Sequence, residues 1–245
     1  MDYVKISPNR TSPRNHKIDT ITIHCVVGQC SVETLGNVFA PSSRQASSNY
    51  GIGYDGKIGM YVEEKDRSWC SSSSTNDNRA ITIEVASDTK HPYAVNDKAY
   101  AALIELLVDI CKRNDIKELK WKGDKSLIGQ IDKQNMTVHR WFANKACPGD
   151  FLYERHGAIA DAVNKKLGVT TTTPSAPVVE ETTKFPYLVK INTAILNVRA
   201  GAGTNYKVNT QVKKNEVYTI VDEKNGWGKL KSGAGWISLN YTIKL

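Results

Sequence analysis

The chain has 245 residues, of which 40% are apolar and 24% charged, and a formal net charge of +8. That length exceeds a peptide hormone and admits one large or two smaller buried cores. No run of eighteen apolar residues occurs, which excludes a membrane-spanning helix of the usual kind.

Residues 1–19 carry charges and prolines where a secretory signal would place an apolar stretch, so synthesis in the cytoplasm without a signal peptide is expected. The five cysteines (Cys25, Cys30, Cys70, Cys111 and Cys147) are odd in number and include no CxxC. A disulfide framework is therefore not expected, and each thiol is either a small buried apolar group or a ligand or nucleophile.

Residues 19–24 (DTITIH) alternate and are rich in β-branched side chains, as a strand would be. Cys25 follows His24 and should face the opposite side as packing. Residues 49–62 read as a hairpin turning at Asp55-Gly56. Residues 79–86 (RAITIEVA) read as another strand. Asp97 is expected to cap an amphipathic helix whose Leu103, Leu106, Leu107, Ile110 and Cys111 form one apolar stripe, which places Cys111 in a core. A second helix follows Pro148-Gly149, with Leu152, Ile159, Val163 and Leu167 on one side. Strands mixed with helices make residues 1–167 an α/β domain built on a mixed β-sheet.

Residues 168–183 (GVTTTTPSAPVVEETT) have no period of two or 3.6 and read as an extended, flexible tether. Charge divides with them: 23 basic against 20 acidic residues before the tether, none against two within it, ten against three in residues 184–245. This excess of +7 points to a polyanionic partner for the smaller domain. Its short alternating runs (194–199, 216–222, 228–230 and 235–239) between Gly- and Asn-rich turns read as a small closed all-β barrel. No zinc finger, RNP-like motif or groove-reading helix accompanies the charge, so nucleic acid is not expected.

Three residues stand out by type and setting. His24 ends the first strand, His139 lies in MTVHRW, and Cys147 lies in NKACPG. Two imidazoles and a thiolate suit zinc, and three protein ligands leave a fourth position open, as catalytic sites do. The spacing matches no short zinc signature, and isolated histidines are commonly satisfied structural groups. A Cys-His hydrolase with Cys147 as nucleophile is a further reading.

TITIH, SSNYGIGYDGKI, NxxAITIE and TVHRWFANKACPGD occur in this order. Together they resemble the zinc-dependent N-acetylmuramoyl-L-alanine amidases that share a fold with bacteriophage T7 lysozyme and the peptidoglycan recognition proteins. The resemblance covers most of residues 15–167. It implies zinc ligation by His24, His139 and Cys147, with Lys145 and Glu84 catalytic. It also implies as substrate the peptidoglycan amide between N-acetylmuramic acid and L-alanine of the stem peptide. The T7-like branch carries a tyrosine near the hairpin start, where Ser48 stands here with Tyr50 two residues on; no catalytic tyrosine is assigned. Cys70 follows Trp69 where several relatives have histidine, and either lines the substrate groove or is an inert thiol. Asn78 matches an asparagine before the glutamate strand and reads either as a groove residue or as a turn residue.

LNVRAGAGTNY at 196–206, NGWGKL and GWI resemble a bacterial SH3-like (SH3b) domain over roughly 187–242. Such domains attach lytic enzymes to cell walls, and Tyr206, Trp227, Trp236 and Tyr241 are candidates for stacking on sugar or peptide. Anionic wall polymers are the expected ligands. The whole reads as an endolysin or autolysin, of phage, prophage or bacterial origin, that reaches the Gram-positive wall after release. A non-catalytic peptidoglycan-binding protein and a zinc endopeptidase of the stem peptide are the alternatives.

Overall fold

A computed structural model describes residues 1–169, 185–203, 206–224 and 226–245, with the Asn240 side chain excepted. The chain divides into two compact units, Met1–Thr171 and Thr172–Leu245. Beyond its first two residues, the expected tether at 168–183 lies outside the described residues.

The first unit contains, in order, β1 (Tyr3–Val4), β2 (Arg10–Thr11), β3 (Thr20–Cys25), α1 (Val32–Phe39), β4 (Tyr50–Ile52), β5 (Ile58–Met60), β6 (Arg67–Ser68), α2 (Ser74–Arg79), β7 (Ala80–Val85), α3 (Asp97–Arg113), β8 (Met136–Thr137), α4 (Gly149–Tyr153) and α5 (His156–Leu167). Six strands form a mixed sheet in the order β1-β5-β4-β7-β3-β8, and β2 pairs with β6 separately. Strands β4, β7, β3 and the edge strand β8 are parallel, and β5 returns antiparallel to β4.

Alternation along TITIHC and AITIEV divides the sheet into two faces. Ile21, Ile23, Ile81 and Ile83 are wholly buried in one cluster with Leu103, Leu107 and Ile110 of α3 and Ile159 and Val163 of α5. Burial of each such side chain contributes roughly 1.5–3 kcal/mol, so this face carries much of the unit's stability. The other face is polar: Thr22 hydrogen-bonds Thr137 at 2.7 Å and Thr82 hydrogen-bonds Ser68 at 2.7 Å. His24 and Glu84 lie on this polar face, paired across β3 and β7.

The hairpin turns as expected at Asp55-Gly56, where Gly56 adopts φ +86° and its backbone N–H bonds the Gly53 carbonyl. Asn96, not Asp97, caps α3: its side chain accepts from the Ala99 N–H, while Asp97 occupies the first turn, where its charge faces the positive helix end. The expected stripe on α3, Cys111 included, is buried. Instead of one helix after Pro148 there are two. The Leu152 carbonyl accepts the Arg155 N–H at 3.0 Å in a tight turn and the His156 ring Nδ1 at 2.7 Å. Gly168 ends α5 in the left-handed conformation, with φ +74°.

The second unit contains β9 (Tyr187–Ile191), β10 (Ile195–Arg199), β11 (Val208–Lys213), β12 (Val217–Lys224), β13 (Trp227–Leu230), β14 (Trp236–Ser238) and β15 (Thr242–Lys244). They form one sheet in the order β11-β10-β14-β13-β12-β9-β15, antiparallel at every described pairing. The four runs expected from the sequence correspond to β10, β12, β13 and β14; β9, β11 and β15 are additional. Its core is aliphatic: Val189, Ile191, Leu196, Val198, Val212, Ile220, Leu230 and Ile237.

Candidate metal centre

The parallel strands deliver their polar side chains at their C-terminal ends, where open α/β sheets bind ligands. His24 is fully buried on β3, and Glu84 sits beside it on β7. His139 opens a turn of 3-10 helix, His139–Trp141, just after β8. Cys147 lies next to Pro148, the N-cap of α4. The fold thus brings four separate stretches of chain to one point.

His24 Nδ1 is 3.3 Å from Cys147 Sγ, the two imidazole ring centroids are 5.1 Å apart, and the ligand atoms of His24, His139 and Cys147 lie within 4.8 Å of one another. Glu84 Oε1 is 4.0 Å from His24 Nδ1. Burial, reinforced by the neighbouring His139 and His156, holds His24 down at about 3, and burial with the Lys145 ammonium lowers His139. Both rings are therefore neutral at pH 7, the form that binds a metal. Burial raises Glu84 to about 7 against the Cys70 hydrogen bond and the Arg44 charge, which favour its carboxylate. The Cys147 thiol is held well above its ordinary value by its hydrogen bond with Cys25 and by burial, an effect that coordination to a cation reverses.

Two buried atoms here, His24 Nε2 and Glu84 Oε2, have no hydrogen-bond partner. Unpaired polar atoms inside a protein cost free energy and call for a missing partner. Two neutral imidazoles, a thiol and an adjacent carboxyl in one cluster fit a zinc ion in donor type and number.

The centre opens into a groove of about 400 Å³ whose walls include Arg44, Arg67, Trp69, Ser72 and Lys145, with Cys70, Glu84 and His139, each half-buried, along its lining. Lys145 is solvent-exposed at this rim. Cys70 therefore lines the groove. Asp77 fixes its position, accepting hydrogen bonds from the Cys70 and Ser71 N–H groups at 2.9 and 3.1 Å. Ser72, left-handed at φ +63°, bonds His139 Nε2 at 3.0 Å through its hydroxyl. The sequence reading missed Ser72 and the short helix α2 behind it; the only signal was the run of four serines after Cys70.

The remaining candidates fall outside the centre. Ser48 is wholly buried and donates to the Tyr50 carbonyl. Tyr50 is buried with its hydroxyl donating to Glu64 at 2.8 Å. Asn78 closes α2, donating to the Ser74 carbonyl and accepting from the Asn15 N–H, which is the turn role. Cys25 belongs to the apolar cluster as expected, yet its thiol also hydrogen-bonds Cys147. Cys147 stands past the end of β3, where alternation along the strand no longer keeps the two faces apart. In the second unit, Tyr206 and Tyr241 are exposed, Trp227 and Trp236 half-buried, and none joins the buried core.

A mixed sheet with an N/S donor cluster at the carboxyl ends of its strands is the framework of a hydrolytic enzyme. The N-acetylmuramoyl-L-alanine amidase family (Amidase_2) matches residues 14–150, more than half of the chain, and the chain belongs to that family. It is accordingly an amidase that hydrolyses peptidoglycan. The bacterial SH3 domain family (SH3_3) matches residues 194–243. Similar solved structures include PlyL (15% identity, 66% of this chain and 96% of that one, TM-score 0.49). A mutant endolysin from Bacillus subtilis aligns at 16% identity over 66% of this chain and 97% of its own, with a TM-score of 0.48. The N-acetylmuramoyl-L-alanine amidase LysC from Clostridium intestinale URNW aligns at 16% over 64% and 96%, with a TM-score of 0.45. No curated protein matches the chain. Among the described residues, no helix is long and apolar enough to cross a membrane.

Proposed function

We propose that the chain cleaves the amide between the lactyl group of N-acetylmuramic acid and L-alanine of the stem peptide, using one zinc ion held by His24, His139 and Cys147. The observation that carries this reading is the convergence of these three donors within 4.8 Å, with Glu84 beside them in strand register. Bound zinc would supply a Lewis acid that makes hydroxide available near neutral pH.

Glu84 has the pKa of a general base at pH 7: it takes a proton from the attacking water and returns it to the departing amine. Lys145, exposed at the groove rim, brings a positive charge to the oxyanion that develops on the scissile carbonyl. Ser72 hydrogen-bonds His139 and orients its ring, as partners of metal-binding histidines do. The groove is lined by Gln45, Ser47, Ser72, Ser73 and Ser74 alongside Phe39 and Trp69, a mixed polar and apolar surface that suits a glycopeptide. The basic SH3-like unit, with residues 168–183 as its tether, holds the enzyme on anionic polymers of the Gram-positive wall, which it reaches after release from the cell that makes it.

The test is digestion of purified sacculi by the parent and by a Cys147→Ser variant, with metal content measured in both. The parent should contain one zinc and release stem peptides with free L-alanine N-termini, and the variant should release none whatever metal it retains. Full activity after verified removal of metal, or new termini inside the stem peptide, would overturn the assignment.

A further inference from the structure

The groove floor holds a second set of donor atoms. Cys70 Sγ donates to Glu84 Oε1 at 3.9 Å, and Glu84 Oε1 is 4.0 Å from His24 Nδ1. One ligand atom from each of His24, Cys70 and Glu84 lies within 4.8 Å of the other two. Zinc bonds of roughly 2.0–2.3 Å in tetrahedral geometry set ligand atoms roughly 3.3–3.8 Å apart, so these three need close by between a few tenths of an ångström and about 1 Å. His24 is wholly buried with Nε2 unpaired, and Glu84 Oε2 is a further buried atom without a partner. The hydrogen bonds from Cys70 and Ser71 to Asp77 already fix the thiol-bearing loop against the groove.

We propose that His24, Cys70 and Glu84 form a second position for a soft divalent cation such as zinc, exclusive of the position at His139 and Cys147. The two exclude each other because His24 Nδ1 is the near atom to both Cys147 and Glu84, and one ring nitrogen binds one ion. The inference rests on the reading of His24 as a metal ligand. An ion in the second position takes the Glu84 carboxylate as a ligand, so the proton acceptor is lost and the enzyme is metal-loaded but idle. One nitrogen, one oxygen and one sulfur replace two nitrogens and one sulfur, so the position fills when Cys147 is alkylated, oxidised or replaced.

Cobalt(II) is the probe, since a cobalt–thiolate bond absorbs strongly in the near ultraviolet. Full-length chain, stripped of metal and given one equivalent of cobalt, is compared as parent, Cys147→Ala, Cys147→Ala/Cys25→Ala and Cys147→Ala/Cys70→Ala, each checked for folding by circular dichroism. The thiolate band should persist in Cys147→Ala and in Cys147→Ala/Cys25→Ala, and be lost in Cys147→Ala/Cys70→Ala. Absence of the band from folded Cys147→Ala while the parent retains it would overturn the second position alone. Loss of the band on adding Cys25→Ala, or its survival without Cys70, would also overturn it. Absence of the band from the parent would instead defeat the assignment of Cys147, and with it the zinc reading.

Discussion

His24 and Glu84 face each other across two strands, and burial pushes their proton affinities in opposite directions, to about 3 and about 7. Each is held toward its uncharged form, which is the inexpensive state for a group removed from water. A cation entering the cluster finds one donor ready and can draw the proton from the other. Lys145 differs in being exposed at the rim, so its contribution should be confined to charge that appears during reaction. Lys145→Ala should lower kcat by about 10²–10³ with zinc content and KM near their parent values. Steady-state kinetics on a soluble muropeptide check this. A raised KM with unchanged kcat would mean that the ammonium only binds substrate.

At the scale of elements, the start of α5 buries an imidazole among the aromatic rings of Trp121 and Tyr153. His156 is fully buried, packs with its ring centroid 4.5 Å from that of Trp121 at a 38° tilt, and is held down at about 4 chiefly by burial. Its folded pKa lies below the unfolded value of about 6.5, so the unfolded chain binds more protons between those limits and stability falls as pH drops from about 6.5 to 4. The full effect is about 3 kcal/mol at most. His156→Phe, compared with the parent in the same metal state, should flatten this part of the stability–pH curve measured by urea unfolding. An unchanged slope would remove His156 as its source.

Strands β3 and β7, the hairpin turn and the α3 stripe were legible because each rests on local chemistry: β-branched alternation, Asp-Gly, and leucines at helical spacing. Less legible were features settled by partners distant in sequence. The break between α4 and α5 is a tight turn in which the Leu152 carbonyl accepts both the Arg155 N–H and the His156 ring. Helix α2 is six residues long and owes its start to the Ser73 side chain accepting from the Asn76 N–H. Arg14, which no motif marked, donates to the carbonyls of Glu64, Asp66, Asn78 and Ala80 and ties the N-terminal segment to the groove wall. The donor residues at the centre were visible by type, but their spacing did not reveal that they meet. His24 and Cys147 are 123 positions apart, and the family motifs supplied that link.

The molecule as a whole places its chemistry in one unit and most of its excess charge in the other. Residues 184–245 hold ten basic and three acidic side chains. On the face of β13 and β14, Lys229 Nζ stands 6.0 Å from the Trp236 ring centroid. Exposed charges interact over roughly 10 Å at 0.1 M salt and 3 Å at 1 M. Adsorption of the inactive Cys147→Ser chain to sacculi should therefore weaken steeply across that range, and further when anionic polymers are stripped from the wall. Pull-down measured at several salt concentrations checks this; salt-independent adsorption would assign wall binding to uncharged contacts.

The pairing of β3 with β7 puts His24 opposite Glu84 and Cys25 opposite Val85. Sliding either strand by one residue would exchange a donor for a hydrophobe and turn the isoleucines toward the groove. The spacing inside these two short segments is therefore as much a part of the catalyst as the side chains themselves. Point changes among the isoleucines loosen the fold by degrees, whereas insertion or deletion of a single codon within either segment dismantles core and chemistry at one stroke.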